Sequence, residues 1–193
     1  MARDKVFQYN FVMSIETTKK LQINIRKMKR EDIDAIMEIE CSVYGEHHWS
    51  REGFAAEAVT DIGNYFVLID THPNKLIGYG GFWNILDEGH ITTVAIAKEY
   101  QGMGLSEVLI QRFIEVGYQK DLKWFTLEVR VSNLAAFKLY KKYLFESCGV
   151  RPKYYQDTQE DALIMWTQNI QDAKFKLNYE NLKKLSAQKV EVI

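Results

Sequence analysis

Two cysteines, two prolines and the lack of any long apolar run set the first limits on this chain of 193 residues. Cys41 and Cys148 have neither a CxxC spacing nor a secretory context, which excludes a disulfide scaffold and predicts two reduced thiols. The histidines are His47 and His48, side by side, and the isolated His72 and His90, so no spacing suggests a metal site and no metal is expected. Apolar stretches fall far short of the roughly 20 residues that a spanning helix needs, and the N-terminus lacks the continuous apolar stretch of a signal peptide. The expectation is a soluble, cytoplasmic protein. Lys plus Arg number 25 against 26 for Asp plus Glu, leaving no bulk field to hold a nucleic acid or an anionic membrane. Linkers, repeats and low-complexity runs are missing as well, so the 47% hydrophobic content is assigned to one core in one domain.

Periodicity orders what is there. Residues 1–20 show none and read as a tail. Leu21, Ile23 and Ile25 then alternate with polar neighbours, as in a half-buried strand. Over 30–45, Ile33, Ile36, Met37, Ile39 and Val43 share a helical face, and Gly45 is placed to stop the helix. Ser50 is a candidate N-cap for a second helix whose inner side is Phe54, Ala55 and Ala58. Residues 64–70 (NYFVLID) and 75–86 (KLIGYGGFWNIL) flank the turn-forming THPN, which predicts a hairpin. A turn at 87–89 leads into 90–96 (HITTVAI), a further antiparallel strand. Helical spacing returns at Leu105, Val108, Leu109, Phe113, Ile114 and Val116, ahead of the strand-like WFTLEV at 124–129. A strand, helix, strand unit of that length implies a parallel pair with a crossover. A helix over 134–143 and strands over 145–150 and 162–167 complete the order β-α-α-β-β-β-α-β-α-β-β, a mixed α/β sheet flanked by helices. The expected partition is a tail (1–20), a main domain (21–168) and a helical C-terminal extension (169–193).

Between the fourth strand and the third helix stand Gln101, Gly102, Met103, Gly104, Leu105 and Ser106. Two glycines let backbone amides turn inward, and a helix starting near Gly104 adds partial positive charge, a combination suited to pyrophosphate. A glycine-rich turn without a ligand fits the same hexapeptide. A nucleoside-triphosphate loop requires Gly-Lys-Ser/Thr, and Gly104 is followed by Leu105 and Ser106 instead. A dinucleotide fold is a minor alternative: Glu107 occupies its third glycine position, and the unit begins after almost half the chain.

The hexapeptide resembles the Q/R-x-x-G-x-G/A motif of the GCN5-related N-acetyltransferase (GNAT) family, with Gln101, Gly104 and Ser106 at the three key places and serine where glycine or alanine is usual. Residues 91–96 (ITTVAI) resemble the family's fourth strand. Residues 127–133 (LEVRVSN) with Leu139 and Tyr140 resemble the LEVR-x-SN and LY segments of its RimI-type members, which acetylate the N-terminal alanine of a ribosomal protein. Weaker likenesses are 48–54 (HWSREGF) to PWS-x-x-x-F, with His48 in place of proline; 151–155 to R-x-x-YY; and 160–162 to EDA. Leu144 replaces the glycine usual before Phe145. The ILDE-x-HIT and YYQDT-x-EDA stretches have a cyanobacterial flavour, which raises a plastid-encoded origin and the plastid stroma as the alternative compartment.

The resemblance implies a GNAT fold over residues 21–168 and acetyl-CoA as cosubstrate. Val94, Ala95 and Ile96 are expected to bind pantetheine as an added strand, the 101–106 loop to hold pyrophosphate, and Asn133 to address the cofactor. It also implies Glu128 as general base, Tyr140 as the acid that protonates the departing thiolate, and Tyr154 and Tyr155 as walls of the peptide entrance. Taken as residues alone, Glu128 fits a paired strand-end carboxylate, Asn133 a helix N-cap and Tyr140 a core-edge aromatic. Glu88 and His90 are rival bases. An α-amine, with a reference pKa near about 8 against about 10.4 for lysine, needs only a modest base. The expected reaction is direct attack by a protein N-terminal amine in a ternary complex, the protein being ribosomal and its first residue alanine. Acetylation of a small amine or lysine, and a non-catalytic acyl-CoA-binding or ribosome-associated module, are the competing readings. The expected partners are acetyl-CoA and a peptide or protein N-terminus, with no nucleic acid or membrane, and the expected state is a monomer or weak dimer.

Overall fold

The computed structural model describes residues 20–45 and 49–193. His48 and nearly all of the expected N-terminal tail lie outside the described residues. The elements are β1 (Leu21–Lys27), α1 (Ile33–Tyr44), α2 (Arg51–Glu57), β2 (Gly63–Asp70), β3 (Lys75–Ile85), β4 (Glu88–Ile96), α3 (Leu105–Gln119), β5 (Trp124–Arg130), α4 (Leu134–Lys142), β6 (Phe145–Tyr155), β7 (Glu160–Thr167), α5 (Ala173–Ser186) and β8 (Val190–Val192). Through β7 this is the order that periodicity predicts. The strands form one mixed sheet in the order β6-β7-β5-β4-β3-β2-β1-β8, parallel at β4/β5 and β1/β8 and otherwise antiparallel.

Strand alternation divides the core between the two faces of the sheet. In β2, Phe66 and Leu68 join Phe113, Leu109 and Ile110 of α3 on one face, while Tyr65 and Val67 join Ile36 and Ile39 of α1 and Phe54 of α2 on the other. Helix starts follow local chemistry. Ser50 Oγ accepts from Gly53 N–H at 3.1 Å and caps α2, while Arg26 forks onto buried Asp32 at 2.7 Å on both oxygens, just ahead of α1.

Leu144 answers the question raised by its missing glycine. It holds φ 59°, the left-handed conformation in which glycine is usual after a helix. That conformation costs a branched residue on the order of 1–2 kcal/mol, and the Leu144 side chain offsets part of this by packing against the main core.

The C-terminal extension is more than a surface helix. Phe175 and Tyr179 of α5 are 1% and 2% exposed within the core on the α3 face. Tyr179 Oη donates to Glu115 Oε1 at 3.1 Å, and β8 pairs with β1 from Leu21↔Val190 to Ile23↔Val192. Three residues are too few for periodicity to reveal, so β8 had no sequence signal.

A bulge creates the site. In the β3/β4 ladder Phe82 pairs with Ile91 but Gly81 pairs with Thr93, leaving Thr92 as the extra residue. Thr92 Oγ1 donates to Gly81 O at 3.2 Å and meets Tyr65 Oη at 2.7 Å. On the other side, β4 pairs with β5 only from Glu88↔Trp124 to Ile91↔Leu127. The two strands part where the bulge begins.

Candidate active site

The gap between the parted strands is a cleft of about 400 Å³. β4 contributes Thr92, Thr93 and Val94, and β5 contributes Glu128, Val129 and Arg130. Asn133, at the start of α4, and Tyr140 within it also line the cleft, as do Tyr154, Tyr155 and Asp157 from the end of β6 and the turn after it, and Glu40, Tyr44 and Trp49 from the α1–α2 region.

Alternation sends Phe125, Leu127 and Val129 into the core and Glu128 to the opposite face. There Glu128 Oε2 meets His90 Nε2 at 2.9 Å, and Oε1 meets Arg151 Nη2 at 3.1 Å. The His90 hydrogen bond, aided by the charges of His90 and Arg151, outweighs burial and holds the Glu128 carboxyl below its ordinary range. Two of the rival bases are therefore one bonded pair. Glu88 starts β4 opposite Trp124 and is not part of the cleft wall.

Tyr140 is 7% exposed, and its ring lies 5.4 Å from that of Phe145. Burial, reinforced by the neighbouring Tyr44 and Tyr155, raises its hydroxyl well above the usual phenol value and keeps it protonated. Asn133 combines two of its expected places: Oδ1 accepts from Ala136 N–H at 3.0 Å and caps α4, while the residue lines the cleft. Tyr155 Oη donates to the Glu128 main-chain oxygen at 3.4 Å, and Arg130 lies 3.9 Å from the centre of the Tyr155 ring. Arg130 also donates to Asp157 at 2.6 Å and Thr158 at 2.7 Å, tying the β6–β7 turn to the end of β5.

The glycine loop lies apart from this cleft, past the far end of β4. Gly102 and Gly104 have φ 80° and 85°. A Cβ at Gly102 would meet nothing within 4 Å, so the sign of φ rather than crowding calls for glycine there. Gln101 N–H donates to Lys98 O and Glu107 N–H to Gly104 O, and these two bonds bracket the loop amides at the start of α3. Met103 is exposed, Leu105 is buried, and Ser106 sits in the first turn of α3. Gln101 Nε2 donates to Ile96 O at 3.1 Å, tying the loop to β4. Ala95 and Ile96 turn their side chains into the core, leaving their backbone for any ligand contact, and Val94 O accepts from Tyr44 Oη at 3.2 Å.

These features fit an elongated thioester carrier: loop amides at a helix N-terminus for its phosphates, a splayed strand edge for its arm, and a cleft for its acyl end. Reading the sequence alone overlooked Glu40, Tyr44, Trp49 and Arg151. Trp49 and Arg151 fall within the 48–54 and 151–155 likenesses, and Tyr44 is a large aromatic at the end of the apolar face of α1; these were the available signals.

A central mixed sheet with parallel strands that part over such a cleft defines an acyltransferase fold, and residues 32–144 match the model of the acetyltransferase (GNAT) family. The chain belongs to that family and is an N-acetyltransferase. A Bacillus subtilis protein provisionally named a ribosomal protein bS18-alanine N-acetyltransferase is 40% identical over 147 residues, 76% of this chain and 96% of the relative. The Escherichia coli K12 ribosomal protein bS18-alanine N-acetyltransferase is 29% identical over 143 residues, 73% of this chain and 94% of its own. The crystal structure of the ribosomal-protein-S18-alanine N-acetyltransferase from Escherichia coli superposes with a TM-score of 0.70 at 28% identity, covering 76% of this chain and 94% of that one. No helix among the described residues is long and apolar enough to cross a membrane.

Proposed function

We propose that this protein transfers the acetyl group of acetyl-CoA to the N-terminal α-amine of a ribosomal protein, the alanine of bS18, by direct attack in a ternary complex. The observation that carries the reading is the convergence of Glu128 and Tyr140 on one cleft, opened where β4 and β5 stop pairing. Acetyl-CoA supplies the activated thioester. Glu128 takes the amine proton and Tyr140 returns one to the leaving sulfur. The loop from Gln101 to Ser106 holds the pyrophosphate on its amides, the backbone from Val94 to Ile96 aligns the pantetheine, and Asn133 orients the cofactor from the start of α4. Tyr154 and Tyr155 flank the incoming peptide. Residues 21–168 form the transferase unit, with 169–193 as its extension. The acceptor assignment draws on the names of the relatives, and the cyanobacterial or plastid lineage on the sequence flavour alone; the compartment is the cytoplasm, or the stroma for a plastid gene.

The test offers acetyl-CoA and a panel of acceptors: a peptide with the bS18 N-terminus, the same peptide with its α-amine blocked, a lysine peptide and a polyamine. Acetylation confined to the free alanine peptide is expected. Equal or faster transfer to lysine or polyamine would overturn the acceptor, and calorimetry without acetyl-CoA binding would overturn the transferase reading itself.

A further inference from the structure

We infer that His90 is the proton outlet of the active site: it relays to solvent the proton that Glu128 takes from the acceptor amine. The inference rests on the transferase reading above, and it comes from how the two residues are placed.

Glu128 faces the cleft with a side chain 9% exposed, while the His90 side chain is 30% exposed, and their polar atoms lie 2.9 Å apart. A proton taken inside the cleft thus has a bonded neighbour with contact to water. Both positions are backbone-determined: His90 pairs with Thr126 in the last stretch of β4/β5 ladder before the strands part, and Glu128 is two residues further along β5.

The other oxygen of Glu128 is held at 3.1 Å by Arg151, whose guanidinium carries donors and no acceptor, so Arg151 favours loss of the proton from Glu128 without accepting it. Histidine is the residue type suited to take a proton from a carboxyl and pass it on near neutral pH. In the tautomer carrying Nδ1–H, the step is balanced. The amine N–H bond breaks and an O–H bond forms on Glu128. That proton then passes from Oε2 to Nε2, and Nδ1 gives one to water. One proton leaves, and no electrons are exchanged.

The charged and titratable groups around His90 are Glu128 on β5, Arg151 on β6 beyond it and Glu88 on its own strand. On β3, Trp83 pairs with His90, its ring centre 6.2 Å away, and donates Nε1–H to Glu57 of α2 at 3.0 Å.

The experiment compares the full chain with His90→Gln and His90→Ala, using acetyl-CoA and the free-alanine bS18 peptide. Glutamine retains a hydrogen bond to Glu128 but cannot relay. The expected result is a fall in kcat of about tenfold or more in both variants, with the KM for acetyl-CoA within twofold. Added imidazole should restore kcat in His90→Ala, and the acid limb of the wild-type pH profile should change in His90→Gln. If His90→Gln keeps the wild-type kcat and pH profile, the relay is overturned and the transferase reading stands. A loss in His90→Ala that glutamine rescues and imidazole does not assigns His90 a positioning role and likewise overturns the relay. A wild-type protein inactive on every acceptor overturns both readings.

Discussion

Replacing Tyr140 with phenylalanine separates chemistry from folding unusually well in this molecule. The hydroxyl makes no hydrogen bond to another described residue, so its removal strands no buried partner, and the ring keeps its packing on Phe145. The stability change is therefore expected below about 0.5 kcal/mol, and in a chain of this length Tm should move by no more than about 2 °C. Activity should respond far more. General acids contribute roughly 10²–10⁴-fold, and a departing thiol with an ordinary pKa near about 8.5 leaves as thiolate at modest cost, which selects the lower end. A fall in kcat of about 10²-fold is expected, equivalent to about 2.7 kcal/mol at about 1.36 kcal/mol per decade. The KM for acetyl-CoA should hold within about twofold, because the assigned role belongs to the transition state. Thiol release in steady state and thermal melting of the same preparation supply both measurements. A kcat within threefold of wild type would refute the acid assignment. A Tm loss of more than about 5 °C would refute the claim that the hydroxyl is structurally idle.

Glu128 has a pH signature in stability as well as in catalysis. Its folded pKa is depressed, so its ion pairs stabilise the fold above the ordinary carboxylate pKa of about 4.3, and this contribution fades as pH falls through the lower folded value. Urea midpoints should show wild type ahead of Glu128→Gln at pH 7 by a margin that shrinks toward pH 3; a constant or growing margin contradicts the sign. At the C-terminal end, Phe175→Ala empties a site 1% exposed in the main core. A loss of about 3–5 kcal/mol, or on the order of 6–20 °C in Tm by calorimetry, is expected, and a change under about 2 °C would mean that α5 does not belong to the core.

Much of this protein was legible in its sequence because the signals are local. Period-two and period-3.6 patterns placed the elements through β7, Ser50 announced its cap by residue type, and alternation put Glu128 opposite Phe125, Leu127 and Val129. The positive φ of Gly102 and Gly104 is likewise a property of a few consecutive residues. Leu144 shows the limit of such rules: the turn after α4 requires the left-handed conformation, and packing of the leucine side chain lets a residue other than glycine hold it.

Tertiary structure decided what depends on residues far apart in the chain. The bulge at Thr92 becomes visible only when β4 is laid against β3, and it coincides with the end of β5 pairing and the opening of the cleft. The sequence offered Glu128 and His90 as competing bases, yet they are 38 residues apart and hydrogen-bonded to each other. Arg151, Tyr44 and Trp49 reach the site from three further segments, and β8, three residues long, owes its place to an open strand edge on β1. Periodicity states which face a side chain takes because backbone geometry repeats locally. Which distant side chains meet there is set by strand register and by where two strands stop pairing, and those are properties of the assembled sheet.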